Sequence, residues 1–246
     1  MTFVLATLPS CGQKGGKVRE KEVSGRIGDR MKTELTEKNL VLGSSAFIRA
    51  FKEEKELELF VKDKATGKFV LFRKYPIVAS SGILGPKLAE GDGQVPEGFY
   101  FAGPKAMNPN SSYHLSFNIG FPNAYDKAHA RTGSFIMIHG SNVSIGCLAM
   151  TDEKIEEIYT ICQAAHDGGQ PYFRVHIFPF RMTEGRMAKA AKSKHLPFWK
   201  NLKTGYDLFE KNKLPPNATV KDKQYSFELP PSSTDHNGSA ADIDGQ

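Results

Sequence analysis

Short apolar segments that alternate at period two fill the middle of the chain, and they predict a strand-rich core. Residues 57–61 and 69–72 flank the turn Ala65-Thr66-Gly67, an arrangement typical of a β-hairpin. Further strands are predicted at 99–101, 113–119, 134–138 and 173–177. Residues 134–138 are apolar without interruption, so we expect that strand to be buried on both faces. No stretch approaches the roughly 18 to 20 apolar residues that cross a bilayer, so no membrane-spanning segment is predicted.

Helical periodicity appears in a few places only. Apolar residues recur at helical spacing from Ile155 to Ala165, which predicts one internal helix with Cys162 in the core. The patterns at 183–194 and 197–211 predict a helical C-terminal extension. Residues 12–43 are rich in Lys and Glu, show little periodicity, and are interpreted as a tether with one short helix at 28–37.

These patterns predict a mainly β fold with α-helices, divided into four parts. The divisions are an N-terminal signal or tether at 1–43, a catalytic domain at 44–181, the helical extension at 182–229 and a tail at 230–246. The tail is rich in Ser, Asp and Gly and has almost no apolar residues, so we expect it to be disordered.

The N-terminus resembles a lipoprotein signal. An apolar run from Met1 to Leu8 leads to Pro9-Ser10-Cys11-Gly12, in which Cys11 stands where the lipid-accepting cysteine does. A secretory signal also has a positive n-region, yet no Lys or Arg precedes Lys14. A frayed terminus, or a start codon assigned too far downstream, is therefore the alternative to lipidation.

Charge and cysteine content narrow the function classes. Lys and Arg exceed Asp and Glu by 33 to 27, and this mild basic excess suits an anionic polymer. The lysines are scattered without arginine–aromatic interleaving, so no nucleic-acid groove is predicted. Three cysteines cannot all pair, so at least one thiol is free or modified. No Cys-x-x-Cys or His-x-x-x-His pair is present, so no metal site is predicted.

The segment from Ile138 to Met150 carries the chemistry. His139 leaves the end of a predicted buried strand, and Cys147 follows a glycine-bearing loop just before a predicted helix. An imidazolium or a helix N-terminus lowers a thiol pKa from near 8.5 to roughly 3.5–7.5, and such a loop is long enough to bring the two side chains together. Amide groups around Cys147, with Gly146 allowing close approach, would stabilise an oxyanion. A cysteine that only fills the core is an equally good interpretation of the spacing alone.

A family resemblance favours catalysis. His139-Gly140 followed by Ser144-x-Gly146-Cys147 resembles the signature of the YkuD-type L,D-transpeptidase catalytic domain. The turn Ser80-Ser81-Gly82 and the strand entry Pro96-Glu97-Gly98-Phe99-Tyr100 are similar to that family too. Longer runs at 85–88, 118–126, 131–135 and 171–180 resemble its YafK-like branch, which includes murein L,D-transpeptidases and a peptidoglycan meso-diaminopimelic acid protein amidase. The resemblance covers roughly residues 46–210.

The resemblance implies the family's fold and a two-step acyl transfer without metal or cofactor. Cys147 would attack the carbonyl at the L-centre of the stem diaminopimelate, with His139 as base and the Gly140 carbonyl orienting the imidazole. Ser144, Ile145 and Gly146 are the other supporting residues. Water or an amine would resolve the thioester. The implied partners are peptidoglycan stems and a wall-linked lipoprotein, at a periplasmic or cell-envelope location, with membrane contact only through the Cys11 lipid.

The chain also departs from the wider family. The His139–Cys147 spacer is about half the usual length, Ile145 replaces a second histidine, and Ala149 replaces an arginine. The missing arginine leaves the anchor for the substrate carboxylate open. Candidate substrate-binding residues are Tyr113, His114, Arg131 and Arg174. The segment 118–131 is interpreted as either a lid or a packed connector.

The sequence is compatible with two other functions to different degrees. A papain-like protease is disfavoured because such enzymes place Cys far ahead of His, whereas here His139 precedes Cys147. A non-catalytic peptidoglycan-binding lipoprotein that keeps the fold is the alternative from another class. Retention of both side chains argues against it, because a pure binder has no need of a reactive thiol in a glycine loop.

Overall fold

The computed structural model describes residues 12–231. The helices are α1 (Gly12–Thr36), α2 (Ala124–Ala128), α3 (Asp152–Asp167), α4 (Glu184–Lys189) and α5 (Leu196–Asn212). The strands are β1 (Ala46–Phe51), β2 (Glu56–Lys62), β3 (Phe69–Pro76), β4 (Gly98–Ala102), β5 (Met107–Asn108), β6 (Ser116–Asn118), β7 (Met137–His139), β8 (Leu148–Ala149), β9 (Phe173–Phe178), β10 (Asn217–Lys221) and β11 (Gln224–Glu228). Cys11 and residues 232–246 of the predicted tail lie outside this range, in which no helix is long and apolar enough to cross a membrane.

Two sheets and one separate hairpin form the β-structure. The five-stranded sheet has the order β3-β2-β1-β9-β4, and the four-stranded sheet has the order β5-β6-β7-β8. The pairs β1–β9 and β7–β8 are parallel, and the other pairs are antiparallel. The predicted hairpin across 65–67 is confirmed as β2–β3, and the predicted mainly β fold with helices is confirmed as well.

The five-stranded sheet is buried on both faces because helices cover each side. Ile48 of β1 faces a cluster that includes buried residues of α1 and α3. The neighbouring Phe47 and Phe51 face the opposite side, where Phe209 and Tyr206 of α5 pack. Burial on both faces explains why β1 is apolar at almost every position rather than at every second one.

The N-terminal helix corrects the tether prediction. The structure has a 25-residue helix, α1, in place of a tether with a short helix at 28–37. Its buried side chains are Val23, Ile27, Met31 and Leu35, one on each successive turn. A stripe only one residue wide gives a weak periodic signal in a charged sequence, so the helix was missed. It packs against α3 as part of the main core.

The C-terminal extension is helical as predicted, but it also contains the hairpin β10–β11. Its turn residues, Asp222 and Lys223, both have positive φ angles, of 51° and 59°. Such a turn normally contains Asn or Gly, and neither stands at these two positions. The hairpin packs through Tyr225, which is stacked on Tyr125 of α2.

Two predicted strands are shorter than expected. The strand predicted at 134–138 begins only at Met137, and Phe135 is 75% exposed with a φ of +53°. The strand predicted at 113–119 is reduced to β6, because His114 has a φ of +68°. Both residues interrupt the extended backbone, so the apolar run did not mark a strand buried on both faces.

The role of α1 in the core gives a stability prediction. Leu35→Ala should lower the free energy of unfolding by about 2–5 kcal/mol, because it leaves a cavity in the main core. Val18→Ala, on the same helix but 52% exposed, should change it by less than about 0.5 kcal/mol. Urea unfolding of the two variants measures the difference, and equal effects would show that α1 does not pack on the core.

Candidate active site

The site is built on an unusually short parallel connection. Strands β7 and β8 are parallel neighbours, with Ile138 opposite Leu148, yet only loop 140–147 joins them. Parallel strands are ordinarily joined by a dozen or more residues. The tight return uses positive φ angles of 62° at Ser141 and 79° at Gly146.

Hydrogen bonds from backbone amides to side chains fix this loop. The Ser141 amide donates to Asp152 Oδ1 at 2.7 Å, and the Cys147 amide donates to Ser144 Oγ at 3.1 Å. The Gly146 amide donates to Ser81 Oγ at 2.7 Å. The loop amides that were predicted to form an oxyanion hole, those of Gly146 and Cys147, are therefore already paired. Ser144 holds the loop shape, and Ile145 is 85% exposed at the mouth of the site.

The thiol of Cys147 is half-buried and opens onto a pocket. The Met137 amide donates to Sγ at 3.3 Å, and Sγ lies 3.7 Å from the Phe135 carbonyl oxygen. The pocket has a volume of about 160 Å³. It is lined by Cys147 together with Lys87, Glu90, Gly91, Gly93, Gly133, Ser134, Phe135, Ile136, Ile145 and Gly146.

Electrostatics at the thiol differ from the expectation. Burial raises the pKa of Cys147 above the ordinary value of 9.0, while the Met137 amide and the Lys87 ammonium act to lower it. The predicted help from a helix N-terminus is wrong, because β8 follows Cys147 and α3 begins only at Asp152. At rest the group is therefore a thiol rather than a thiolate.

The imidazole of His139 is buried and has a defined orientation. Its Nδ1–H donates to the Gly140 carbonyl oxygen at 2.7 Å, which leaves Nε2 as the acceptor. Burial lowers the pKa of His139 below 6.5, although the bond to Gly140 acts to raise it, so the ring is neutral near pH 7. Gly140 itself leaves no room for a side chain, because a Cβ there would lie 2.6 Å from Asp152 Oδ1.

The thiol and the imidazole belong to one strand pair. The Met137 amide donates to Cys147 Sγ, and His139 stands two residues beyond Met137 on β7. Within residues 12–231 no hydrogen bond joins the two side chains. The arrangement provides a neutral thiol and a neutral base on one strand pair, and proton transfer between them needs a small approach or a bridging group.

The predicted substrate-binding residues do not form one group. The Tyr113 ring lies 4.8 Å from the His139 ring between centroids and is 48% exposed, so it belongs to the site. His114 is not on a strand, and its Nε2 bonds to Glu156 on α3 at 2.8 Å. Arg131 is buried and bonds to Asp126 at 2.8 Å, so it is not available to a substrate.

Arg174 does not line the pocket at Cys147. It lines a different cavity, which shares no residue with that pocket. The segment 118–131 is a packed connector rather than a lid, because Asn123 caps α2 through a reciprocal bond with Asp126, and both are buried.

A buried lysine was missed from the sequence. Lys87 is 4% exposed, and its Nζ donates to Asp92 Oδ1 at 2.7 Å and to the Ala89 carbonyl at 2.9 Å. Burial acts to raise the pKa of Asp92, but the Lys87 ammonium and nearby amides lower it to about 2. The only signal was that Lys87 falls in the run 85–88, which was noted for its resemblance and not for its charge.

The family of this chain is identified by its similarity to known proteins. Residues 45–177 match the model of the YkuD family, the L,D-transpeptidase catalytic domain. The chain belongs to this family. It is also 44% identical over 193 residues to a protein of Escherichia coli (strain K12) named "Putative L,D-transpeptidase YafK", an alignment that covers 78% of each chain.

Solved structures with a related sequence are more distant. The cell shape determining protein Pgp2 of Campylobacter jejuni, as its K307A mutant, is 23% identical with a TM-score of 0.45, over 80% of this chain and 65% of that one. Bd1075 of Bdellovibrio bacteriovorus is 18% identical with a TM-score of 0.40, over 75% of this chain and 84% of that one.

The raised thiol pKa gives a chemical prediction. The rate of Cys147 alkylation by iodoacetamide should climb with pH through a midpoint above 9.0, because burial disfavours the thiolate. Peptide mapping by mass spectrometry identifies Cys147 directly, and Cys162, which is fully buried, serves as the unreactive internal control. A midpoint at or below pH 7 would contradict this account of the resting site.

Proposed function

We propose that this protein is a peptidoglycan-modifying acyl-transfer enzyme in which Cys147 is the nucleophile and His139 is the general base. One observation carries the proposal. A half-buried thiol opens onto a pocket beside the strand that presents a buried, neutral imidazole, whose Nε2 has no hydrogen-bond partner within residues 12–231 and can accept a proton. Membership of the L,D-transpeptidase family supports it and gives the substrate class, the peptide stems of the bacterial wall.

The reaction follows from the protonation states. His139 Nε2 takes the thiol proton as Cys147 Sγ attacks the carbonyl carbon at the L-centre of the stem diaminopimelate. The tetrahedral intermediate collapses when the carbon–nitrogen bond breaks, and the imidazolium returns the proton to the leaving amine. The product is a thioester on Cys147. Attack by water gives a free carboxylate, and attack by an amine gives a new amide bond.

A base of lowered pKa suits a thiol of raised pKa in this scheme. A neutral imidazole accepts a proton at the moment of attack, whereas a permanent imidazolium could not. The bond from Nδ1–H to the Gly140 carbonyl keeps Nε2 as the acceptor and stabilises the charge that forms on the ring. The Lys87 ammonium favours the thiolate once it exists.

The pocket walls suit a substrate that carries both charges. Lys87 contributes a buried positive charge, and Glu90, which is exposed, contributes a carboxylate on the same pocket. Diaminopimelate ends in an amine and a carboxylate on one carbon. We assign Glu90 to the amine, because Lys87 is already paired with Asp92. These substrates place the enzyme in the cell envelope.

A non-catalytic wall-binding protein is the second candidate. It is favoured by two observations, the raised thiol pKa and the lack of a hydrogen bond between the Cys147 and His139 side chains among the described residues. The defined imidazole orientation favours the enzyme, since a binder gains nothing from a fixed tautomer. Product analysis separates the two.

Removal of the Cys147 thiol should abolish turnover, and removal of the His139 imidazole should slow it strongly. Purified muropeptides and protein-linked muropeptides, incubated with the enzyme and separated by liquid chromatography, should give a new product with the unmodified chain. Cys147→Ala should reduce the rate to background, and His139→Ala should reduce it by about 10²-fold or more, because general-base assistance is lost. Cys162→Ala, which alters a buried thiol outside the pocket, is the matched control and should retain activity.

The same chromatogram identifies the acceptor. A released diaminopimelate-linked protein or peptide with a free carboxylate makes the enzyme an amidase, and a product joined to an added amine or second stem makes it a transpeptidase. Equal product from the unmodified chain and Cys147→Ala, or none from either, would refute the proposed function.

The pKa of His139 predicts the acid limb of the pH profile. Burial holds this pKa below 6.5, so the base stays neutral down to that pH, and kcat/KM should fall only at lower pH as the ring becomes protonated. Steady-state rates between pH 4 and about pH 8 measure the limb. A limb centred above pH 6.5 would contradict the assignment of this histidine as the base.

A further inference from the structure

A second and larger cavity lies away from Cys147. Its volume is about 570 Å³, within the range of known small-molecule sites. It is bounded by the β2–β3 turn, the entry to β9 and the C-terminal segment. The residues that line it are Ser45, Lys62, Thr66, Gly67, Lys68, Phe69, Gln170, Pro171, Tyr172, Arg174, Leu214, Pro215, Pro230 and Pro231.

The charges on this cavity are of one sign. Lys62, Lys68 and Arg174 line it, and no acidic residue does. None of the three forms an ion pair with any residue in the range 12–231. Lys68 is exposed, whereas Lys62 and Arg174 are half-buried. Most other half-buried or buried cations among the described residues do have an acidic partner, as Arg49 has Glu58. The cavity therefore has an unbalanced positive charge.

Of the three cations, Arg174 gives the strongest indication of an anion site. One nitrogen of its guanidinium donates to Asn217 Oδ1, and the group lies 5.5 Å from the centroid of the Tyr172 ring. Neither partner is acidic, so this half-buried charge has no counter-ion within residues 12–231. Burial of this kind is costly unless a charge of opposite sign arrives, and a planar guanidinium is suited to bind a carboxylate through two hydrogen bonds.

Much of the remaining wall is apolar. The Tyr172 ring packs against Phe101 with ring centroids 5.3 Å apart and planes tilted by 52°, and Phe69, Leu214 and four prolines also line the cavity. Proline and aromatic walls lose little conformational entropy when a ligand binds. They offer an apolar contact to the covalent skeleton of a ligand whose anionic group reaches Arg174.

We propose that this cavity is a second binding site, separate from Cys147, for a carboxylate of an acidic wall peptide. It rests on the proposed function for the identity of the peptide as a peptidoglycan stem. Arg174 binds the carboxylate, Lys62 and Lys68 attract it, and Tyr172 contacts the peptide skeleton. The site holds the wall polymer while the reaction proceeds in the other pocket.

Binding is measured by titration calorimetry on the full chain carrying Cys147→Ala, so that no turnover occurs. The probe is a purified disaccharide–tetrapeptide muropeptide, compared with the same compound after its carboxylates are converted to amides. Inorganic phosphate is the third probe. The cavity variants are Arg174→Gln and the double variant Lys62→Gln/Lys68→Gln, and Lys64→Gln in the same turn, outside the cavity lining, is the matched control.

Both cavity variants should weaken muropeptide binding by about tenfold or more. Arg174→Gln removes a charge-assisted hydrogen bond, and the double variant removes two positive charges that attract the carboxylate. Amidation of the ligand should weaken binding to the parent equally and should have no further effect on Arg174→Gln. Lys64→Gln should bind as the parent does. Arg174→Gln should keep its melting temperature, because it removes a charge that lacks a counter-ion.

Equal binding by the parent and both cavity variants would overturn the proposal, and so would tighter binding of phosphate than of the muropeptide. The double variant changes only lysine side chains at the rim of the cavity. It therefore still tests the proposal if Arg174→Gln proves not to fold. Catalysis is scored separately, by product formation in chains that keep Cys147. Loss of turnover in the unmodified chain with cavity binding intact would refute only the proposed function.

Discussion

The short parallel return between β7 and β8 is the constraint on which the site depends. Eight loop residues reverse the chain and bring it back in the same direction, where a dozen or more are ordinarily needed. The return is held by the hydroxyls of Ser81 and Ser144 and by the Asp152 carboxylate. Because the loop is this tight, the register of the two strands fixes where the thiol and the imidazole stand.

That register has a chemical consequence. Cys147 is placed against Met137, in a pocket that shields its thiol, while His139 is placed two residues along in the core. Burial raises the thiol pKa and lowers the imidazole pKa, so both groups are neutral at rest. A neutral thiol reacts slowly with oxidants and alkylating agents. In the proposed mechanism it becomes reactive only when a substrate carbonyl and the base approach it, and the nearby Lys87 charge, which favours the thiolate, would then stabilise the charge that develops.

Much of the architecture could be predicted from the sequence, because many elements have a strong hydrophobic pattern of their own. Alternation marked β2 and β9, an apolar run after a turn marked β3, and the helical spacing from Ile155 marked α3 with Cys162 in the core. The spacing of His139 and Cys147 pointed to one loop, and that loop is where the pocket lies. Elements with a weak local signal were missed, such as α1 with one apolar residue per turn.

Features that depend on tertiary contacts could not be read from the chain. The exposed Phe135 looked like a strand residue because composition does not reveal its positive φ. Arg131 and Arg174 were equal candidates in sequence, and only the fold shows that one is paired with Asp126 while the other has no acidic partner in residues 12–231. The charge of Lys87 at the thiol arises from a contact across 60 residues.

Intact-protein mass spectrometry of the acyl intermediate tests the central claim most directly. After rapid acid quenching of a reaction with a muropeptide donor, the unmodified chain should carry the mass of the stem acyl group, removable by hydroxylamine, and peptide mapping should place it on Cys147. Cys147→Ala should carry none. An unmodified chain with no added mass during active turnover, or an adduct that persists in Cys147→Ala, would contradict a thioester mechanism at this residue.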